Sequence, residues 1–459
     1  NCGSIEAVRA LNASLRSLHD VVPILAVDQE GGRVARLREG VETIPPMMAI
    51  GAAGSSTLCE KAGEQIGHDL HRAGFTVNFA PVLDLAREPL STVIGTRSFG
   101  SDAQIAGVLG RAFASGLERY GITAAFKHFP GHGMTASDTH LGLPAVDLGL
   151  EMIRANDLAP FAAVAASAGA IMTAHVVVRA VDHEHPATLS KALLTGVLRG
   201  ELGFDGVCFT DCMQMDAIAR TIGTAKGAAA AIAAGADCAV ISHDPALALD
   251  AARAIVDAVR SGALPLERLL EAHARVRRLR SGVAPAMDAQ TNPHRGIGRE
   301  IARKAITLLR GTPHADATTS IVVSFEGATA EGAQGLHSRH ATLESQAPSL
   351  LTHVVSLEPS RAEGDAAIAA IFRSGRRPIV LLRRAHIYGE QAAAATGIIE
   401  RFPDALVVSL REPYDCALFP QARHLLAAYG DDDASMGGLA DVLFGGVVPS
   451  GMLPVDISA

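Results

Sequence analysis

The stretch ILAVDQE, residues 24–30, places a short apolar and β-branched run directly before three polar residues. The pattern returns along the chain, each time with an alanine- or leucine-rich segment after it, in VNFAPVLD (77–84), ITAAFKH (122–128), AIMTAHV (170–176), GVCFTDC (206–212) and CAVISH (238–243). Nearly continuous apolar strands that alternate with helices are typical of a parallel sheet covered on both faces. The repetition favours an α/β fold of the (β/α)8 TIM-barrel type, although periodicity alone does not exclude an open doubly wound sheet.

Each of these runs ends in a residue with useful chemistry. The residues are Asp28, Asp84, Lys127 with His128, His175, Asp211 and His243. The active site of a (β/α) barrel lies at the C-terminal ends of its strands, so these side chains should converge on one mouth. Polar residues also mark strand ends simply because the chain is leaving the core, and this explains part of the pattern.

The strand–helix pattern stops at VAPAMDAQTNPHRG (283–296), a polar stretch with two prolines that is typical of a linker. A second α/β block follows, with SIVVSF (320–325), RPIVLL (377–382) and ALVVSL (405–410) as its predicted strands. We therefore predict a catalytic barrel domain over residues 1–282, a linker over 283–298, and a C-terminal α/β three-layer sandwich over 299–459.

Composition narrows the class of partner. The 459 residues carry a formal net charge of −8, which argues against nucleic acid, and no apolar run is long enough to span a membrane. The six cysteines are scattered, which indicates reduced thiols and a cytoplasmic protein. There is no tryptophan and there are only four tyrosines, whereas proteins that grip long polysaccharides offer flat aromatic faces. A carbohydrate enzyme with this composition should favour a short, soluble substrate.

The segment KHFPGHGMTASDTH, residues 127–140, concentrates titratable groups in a stretch too broken to be a helix. It fits a metal site, a solvated polar loop or a catalytic loop that carries an acid/base. His128, His132 and His140 are the possible zinc ligands. Lys127 beside them would repel a dication, and the glycines and proline give the ligands no rigid frame. We therefore predict no metal and no cofactor, and we expect His132 to be structural.

Several motifs occur in the order seen in glycoside hydrolase family 3, and the chain most resembles the β-N-acetylglucosaminidases of that family in their two-domain form. The motifs are DQEGGRVARL (28–37), IGTRSF (94–99), KHFPGHG (127–133), SDTH (137–140), TAHV (173–176) and GFDGVCFTDCMQM (203–215). The second block resembles the C-terminal domain of the family through ARKAITLLRG (302–311), SLREPYD (409–415) and LFGGVVPSGMLPV (443–455). The resemblance implies a TIM barrel followed by a sandwich domain.

The resemblance also implies the catalytic residues. Asp211 matches the nucleophile; the alternative is a helix N-cap before MQMDAIAR, where aspartate is favoured. His140 matches the proton donor, with Asp138 as the carboxylate that orients it. An imidazole with an ordinary pKa near 6.5 both gives and accepts protons at neutral pH. An ordinary polar turn is the alternative for this pair.

Sugar binding falls by the same match to Asp28, Arg36, Arg97, Lys127 and His128. Carboxylates and charged donors on neighbouring hydroxyl groups give directional recognition of a pyranose. Beneath them we expect Glu30 and Arg33 to form a structural ion pair, and we expect His175 to line the mouth.

The resulting hypothesis is a retaining exo-β-N-acetylglucosaminidase that acts on peptidoglycan turnover fragments or chitobiose. No acidic residue follows Asp211 in the sequence Cys212-Met213-Gln214, which favours direct attack by Asp211 over attack by the substrate's own acetamide. The alternatives are a β-N-acetylglucosaminide phosphorylase on the same scaffold, another family 3 β-glycosidase, or a catalytically inactive sugar-binding protein. A monomer is favoured.

The chain opens at NCGSIEAVRALNASL, inside what should be the first helix of the barrel. The first barrel strand is therefore expected upstream of residue 1, where a secretion signal would also lie.

Overall fold

The computed structural model describes residues 3–133, 144–282, 292–327 and 340–458. Up to residue 282, short strands alternate with longer helices. The strands are β1 (Ala26–Val27), β2 (Gln29–Gly31), β3 (Val34–Ala35), β4 (Val77–Asn78), β5 (Thr123–Phe129), β6 (Ala145–Val146), β7 (Ala170–Thr173), β8 (Val177–Val178), β9 (Val207–Cys212) and β10 (Cys238–Val240). The α-helices are α1 (Ile5–Ser17), α2 (Met47–Ala53), α3 (Ser56–Ala73), α4 (Ala103–Arg119), α5 (Leu150–Ala155), α6 (Ala159–Val164), α7 (Asp216–Ala219), α8 (Thr224–Ala234), α9 (Pro245–Arg260) and α10 (Leu266–Ser281). Two 3₁₀ turns (Gly95–Arg97 and Ala187–Leu189) and a π-helix (Ala192–Glu201) complete this part.

The remainder of the described chain forms a second α/β unit. Its strands are β11 (Thr307–Arg310), β12 (Ser320–Glu326), β13 (Leu351–Ser356), β14 (Arg377–Leu382), β15 (Leu406–Ser409) and β16 (His424–Ala427). Its helices are α11 (Ile297–Ala305), α12 (His340–Gln346), α13 (Arg361–Ser374), α14 (Gly389–Arg401) and α15 (Asp433–Leu443), with a 3₁₀ turn at Pro413–Leu418. None of the described helices is both long and apolar enough to cross a membrane.

The first sheet contains six parallel strands in the order β1-β4-β5-β7-β9-β10, so spatial neighbours follow chain order. This confirms the predicted α/β fold with a parallel sheet. The six strands are the six apolar runs singled out in the sequence. Among the described residues, β1 and β10 are the two edges of this sheet and are not paired with each other. Closure into an eight-stranded barrel therefore stays a prediction.

Burial explains why these apolar runs become strands. In β5 every residue after Thr123 is buried, because helices cover the sheet on its outer face and side chains fill its inner face. The α3 and α4 helices pack closely through glycines: a Cβ on Gly63 would lie 2.1 Å from the Phe113 carbonyl oxygen. A rigid wall of this kind holds the strand ends, and the side chains they carry, in fixed positions.

The second sheet has the order β11-β16-β15-β14-β12-β13, in which only the β11–β16 pair is antiparallel. Alternate residues of its strands face two separate cores. Val323 and Val380 pack on one side with residues of α13 and α14, whereas Val322 and Leu381 pack on the other with residues of α12 and α15. Helix layers therefore cover both faces, as the three-layer prediction requires.

The two parts of the chain are joined through a common apolar core. Met48, Ala49 and Ala52 of α2 belong to the same buried cluster as Phe325 of β12 and Val455 near the C-terminus. Backbone of the two parts also comes into direct contact, because a Cβ on Gly298 of α11 would lie 1.9 Å from the Thr43 carbonyl oxygen. The second α/β unit is consequently packed against the first part of the chain and is not merely connected to it by a linker.

Candidate active site

Lys127, near the end of β5, forms ion pairs with two carboxylates at the C-terminal edge of the first sheet, which is called the mouth below. Its side chain is 2% exposed, and its Nζ lies 2.8 Å from Asp28 Oδ1 and 2.5 Å from Glu30 Oε1. Burial would lower the pKa of Lys127, but the charges of Asp28 and Glu30 outweigh it and the pKa is raised. Lys127 is therefore a permanent cation at the mouth. Asp28 is 35% exposed and keeps one face open to a ligand.

Glu30 is held from its other side by Arg97, which ends the 3₁₀ turn Gly95–Arg97. Arg97 Nε and Nη2 each donate to a different Glu30 oxygen at 2.8 Å. Burial would raise the pKa of Glu30, but Arg97 and Lys127 together hold it far below its usual range. The predicted Glu30–Arg33 ion pair is wrong. Arg33 instead donates to the carbonyl oxygens of Thr92 and Val93, because its place in the β2–β3 turn directs it toward that backbone.

His128 is fixed by Asp84, the carboxylate that follows β4. The distance from His128 Nδ1 to Asp84 Oδ2 is 2.6 Å, and the His132 backbone N–H donates to Asp84 Oδ1 at 2.6 Å. Burial would raise the pKa of Asp84, but the charge and hydrogen bond of His128 outweigh it and the pKa is lowered. An ionised Asp84 thus orients the His128 ring and ties down the start of the loop in which His132 is buried.

Asp211 lies at the C-terminal end of β9, and its Oδ1 accepts the Cys212 backbone N–H at 2.7 Å. No described residue donates a hydrogen bond to Oδ2, which leaves that oxygen available to a ligand. Burial would raise the pKa of Asp211, but His128, His175, the Cys212 N–H and Lys127 hold it below its usual range. The N-cap alternative is wrong, because the N-cap of α7 is Met215.

His175 is completely buried and so does not line the mouth. Its Nε2 lies 3.0 Å from the Cys212 carbonyl oxygen, and its Nδ1 lies 2.8 Å from Thr188 Oγ1. Since a carbonyl oxygen only accepts, Nε2 carries a proton. The ring supports the end of β9 from beneath, one residue after Asp211.

Three predicted site residues are not among the contacts described so far. Arg36 has no side-chain hydrogen bond to another described residue, and its side chain lines a cavity of about 420 Å³ together with Gln29, Arg38 and Asp431. Asp138 and His140 lie outside the described residues. The predicted catalytic pair therefore stays a prediction.

The sequence missed two parts of the site. Asp84 was noted only as the end of a strand, although it follows β4, which pairs with β5, the strand that contains His128. Glu412, from the second sheet, accepts a hydrogen bond from the Thr96 N–H at 3.3 Å, and nothing in the sequence indicated this contact between residues so far apart.

The described part of the site combines an ionised carboxylate on Asp211 with a fixed lysine, a half-open aspartate and an oriented histidine. Within the described ranges, no group of three histidine, cysteine, aspartate or glutamate side chains is arranged to hold a metal ion. An anionic nucleophile beside directional hydrogen-bonding groups suits attack on a polyhydroxylated substrate.

Comparison with known proteins identifies the family of the chain. Residues 4–279 match the model of the glycosyl hydrolase family 3 N-terminal domain. The chain belongs to this family. A β-hexosaminidase of Pseudomonas aeruginosa is 42% identical over 243 residues, which is 52% of this chain and 72% of the relative. β-Hexosaminidase A of Pseudoalteromonas piscicida is 29% identical over 99% of this chain and 86% of its own length.

A solved structure resembles the entire chain. It is the family 3 β-N-acetylglucosaminidase of Paenibacillus sp. str. FPU-7, with 34% identity, a TM-score of 0.92, and coverage of 100% of this chain and 91% of that one. The predicted family and the predicted enzyme class, a glycoside hydrolase of the β-hexosaminidase kind, are thereby confirmed.

Proposed function

We propose that this family 3 enzyme is a retaining exo-β-N-acetylglucosaminidase that removes terminal N-acetylglucosamine from short glycans. The observation that carries the proposal is the ionised Asp211 at a strand end, with one oxygen open, beside His128 and the Lys127–Asp28 pair. Support also comes from a solved relative that is named a β-N-acetylglucosaminidase. Peptidoglycan turnover fragments and chitobiose are the substrates we assign to it, and a cytoplasmic location would suit them.

The chemistry proceeds in two displacements. Asp211 Oδ2 attacks the anomeric carbon, the bond from that carbon to the leaving oxygen breaks, and His140 gives its proton to the leaving oxygen. Water then attacks the same carbon while His140 takes a proton from it, and the bond to Asp211 breaks. The free sugar and the starting enzyme are released, and Asp138 orients the imidazole during both steps.

Substrate binding falls to groups around this nucleophile. Asp28 accepts from sugar hydroxyl groups, Lys127 and His128 donate to neighbouring ones, and Arg97 adds a cation behind them. Arg36, which lines the cavity at the β2–β3 hairpin, completes the set.

The organisation that goes with this function is a catalytic (β/α)8 barrel over residues 1–282, a linker over 283–298 and a sandwich domain over 299–459. The six described parallel strands support the barrel, and the helix-covered second sheet supports the sandwich.

A covalent trap tests the proposal. The protein is incubated with a 5-fluoro-N-acetylglucosaminyl fluoride, digested and analysed by mass spectrometry, and we expect a sugar attached to Asp211. Asp211→Asn should lose the adduct and turnover while keeping its circular dichroism spectrum. The matched control is Asp216→Asn, since Asp216 pairs with the exposed Arg220 at 3.1 Å and should not affect trapping. An adduct on another residue, or full activity in Asp211→Asn, contradicts the assignment. Accumulation of N-acetylglucosamine 1-phosphate in phosphate buffer would favour the phosphorylase instead.

A further inference from the structure

Glu412 is a buried carboxylate of the second α/β unit that contacts the first part of the chain. It is 2% exposed and lies just before the 3₁₀ turn Pro413–Leu418. Arg384 holds it with two hydrogen bonds of 3.0 Å, from Nε to Oε2 and from Nη2 to Oε1. Arg384 itself has a φ of 62°, a left-handed conformation that is uncommon for a residue with a side chain. A two-point pair of this kind fixes the orientation as well as the position of the carboxylate.

The carboxylate is seated directly against the 3₁₀ turn Gly95–Arg97 of the first part. Glu412 Oε1 accepts the Thr96 N–H at 3.3 Å. Gly95 has a φ of +44°, and a Cβ there would lie only 2.1 Å from the same oxygen. Because the carboxylate and the turn are in direct contact, a displacement of Glu412 should displace the turn as well.

This turn ends in a residue of the candidate site. Arg97 grips Glu30 with two hydrogen bonds of 2.8 Å, Glu30 contacts Lys127 at 2.5 Å, and Lys127 contacts Asp28 at 2.8 Å. Every link is a charge-assisted contact, and Glu30 and Lys127 are almost fully buried, so solvent screens them little. Together these contacts link Glu412, in the second α/β unit, to Asp28 at the end of β1.

We propose that Glu412 is a positioning residue for sugar binding: it sets the Gly95–Arg97 turn and, through Arg97 and Glu30, the Lys127–Asp28 pair. The second α/β unit thereby controls substrate affinity without touching the substrate. The inference rests on the proposed function for the identity of the substrate. A purely structural role, in which Glu412 only joins the two parts of the chain, is the alternative that the test must separate.

Glu412→Asp is the variant that separates them. It keeps the buried charge and a partner for Arg384 but withdraws the acceptor from Thr96 by about 1.5 Å, the length of one carbon–carbon bond. The matched control is Tyr414→Phe, which removes another contact between the two parts, the hydrogen bond from Tyr414 Oη to the Ala86 carbonyl oxygen at 3.3 Å. That contact involves neither Glu412 nor the Gly95–Arg97 turn.

With nitrophenyl N-acetylglucosaminide we expect Glu412→Asp to raise KM by roughly 10- to 100-fold at nearly constant kcat, because a small displacement of a binding group costs this much. Tyr414→Phe should leave KM unchanged. In an Arg97→Lys background, Glu412→Asp should add little further loss, since both changes act on the same link. Equal KM values for Glu412→Asp and Tyr414→Phe, or fully additive losses with Arg97→Lys, overturn the inference.

A crystal structure of Glu412→Asp tests the same link without any substrate. We expect the Gly95–Arg97 turn to shift and the Arg97–Glu30 contacts to lengthen. An unchanged turn overturns the inference even if the wild-type enzyme is active. A wild-type protein without activity on N-acetylglucosaminides, but with the expected shift in the variant, would instead contradict the proposed function alone.

Discussion

Lys127 Nζ lies 2.8 Å from Asp28 Oδ1, so an ion pair joins the ends of β5 and β1 across the intervening strand β4. The same ammonium contacts Glu30, and Arg97 balances the second carboxylate. Two cations and two anions therefore make a neutral cluster at the mouth of the sheet. Neutrality matters because removing one member leaves a buried charge without compensation.

Lys127→Met should destabilise the protein by about 3 to 5 kcal/mol, because it keeps the apolar stem of the side chain but leaves one carboxylate without its cation. Urea unfolding measures the loss. Lys304→Met is the control: Lys304 is half exposed and its contact with Glu300 is 3.7 Å long, so a change within about 0.5 kcal/mol is expected. Similar losses of unfolding free energy in both variants would show that the charges of the cluster at the mouth do not depend on one another.

His175→Phe should move the acidic limb of the pH–rate profile to higher pH. Burial favours the neutral form of Asp211, and His175 is one of the groups that oppose burial and lower the pKa of Asp211. Without His175 the pKa of Asp211 rises, so a larger fraction of Asp211, the proposed nucleophile, is protonated in mild acid. The profile of kcat/KM between about pH 4 and 8 measures this. His183→Phe, a change at an exposed histidine, is the control, and an unmoved limb in His175→Phe would refute the electrostatic role.

His140→Ala tests the proton donor that the sequence predicts. Nitrophenol leaves without protonation, whereas the leaving sugar of chitobiose needs a proton. The variant should therefore lose much more kcat/KM on chitobiose than on nitrophenyl N-acetylglucosaminide. The pair of substrates, assayed with the same enzyme preparation, is its own control. Equal losses on both would exclude His140 as the acid.

The periodicity of the sequence predicted which strand ends lie close together, because parallel strands end at one edge. Asp28, Lys127 and His128 were predicted to meet for this reason, and contacts of 2.8 Å and 2.6 Å now tie them to partners at neighbouring strand ends. No knowledge of side-chain packing was needed for that step.

The periodicity of the sequence could not predict the ion pairs beneath the mouth. Glu30 and Arg33 are close in the chain, but the β2–β3 turn directs Arg33 toward the Val93 carbonyl oxygen, and Arg97 takes the place beside Glu30. The contact between Glu412 and Thr96 joins residues from the two different α/β parts of the chain, and no periodic pattern encodes the way these parts pack.

Gly95→Ala should reveal how tightly Glu412 is seated. The new methyl group would meet Glu412 Oε1, and a φ of +44° adds backbone strain. Gly446→Ala is the matched control, because Gly446 has a φ of +72° and a methyl group added there would meet no atom within 4 Å. The control should cost about 1 to 2 kcal/mol from strain alone. Gly95→Ala should cost at least about 1 kcal/mol more in urea unfolding, as overpacking usually does. Equal costs would mean that the Glu412 carboxylate moves aside freely.

Asp157→Asn should stabilise the protein at neutral pH but not in acid. Asp157 is 5% exposed, its Oδ2 has no hydrogen-bond partner among the described residues, and a Cβ on Gly131 would lie 2.7 Å from Asp157 Cβ. Burial raises the pKa of Asp157 to about 6; Arg87 opposes this rise and Asp84 adds to it.

The sign of the pH dependence follows from the raised pKa. The native state holds this proton more tightly than the unfolded state, so its stability falls as pH rises from about 4 to about 6 and is level above that. The cost of the ionised carboxylate at about pH 7.5 is about 3 kcal/mol, and Asp157→Asn should recover much of it, with no gain at about pH 4. Asp205→Asn should behave oppositely and weakly, because Arg275 and Arg278 outweigh burial and lower the pKa of that exposed carboxyl. Urea unfolding at both pH values decides the matter, and a gain for Asp157→Asn that is equal in acid and at neutral pH would rule out a buried, titrating Asp157.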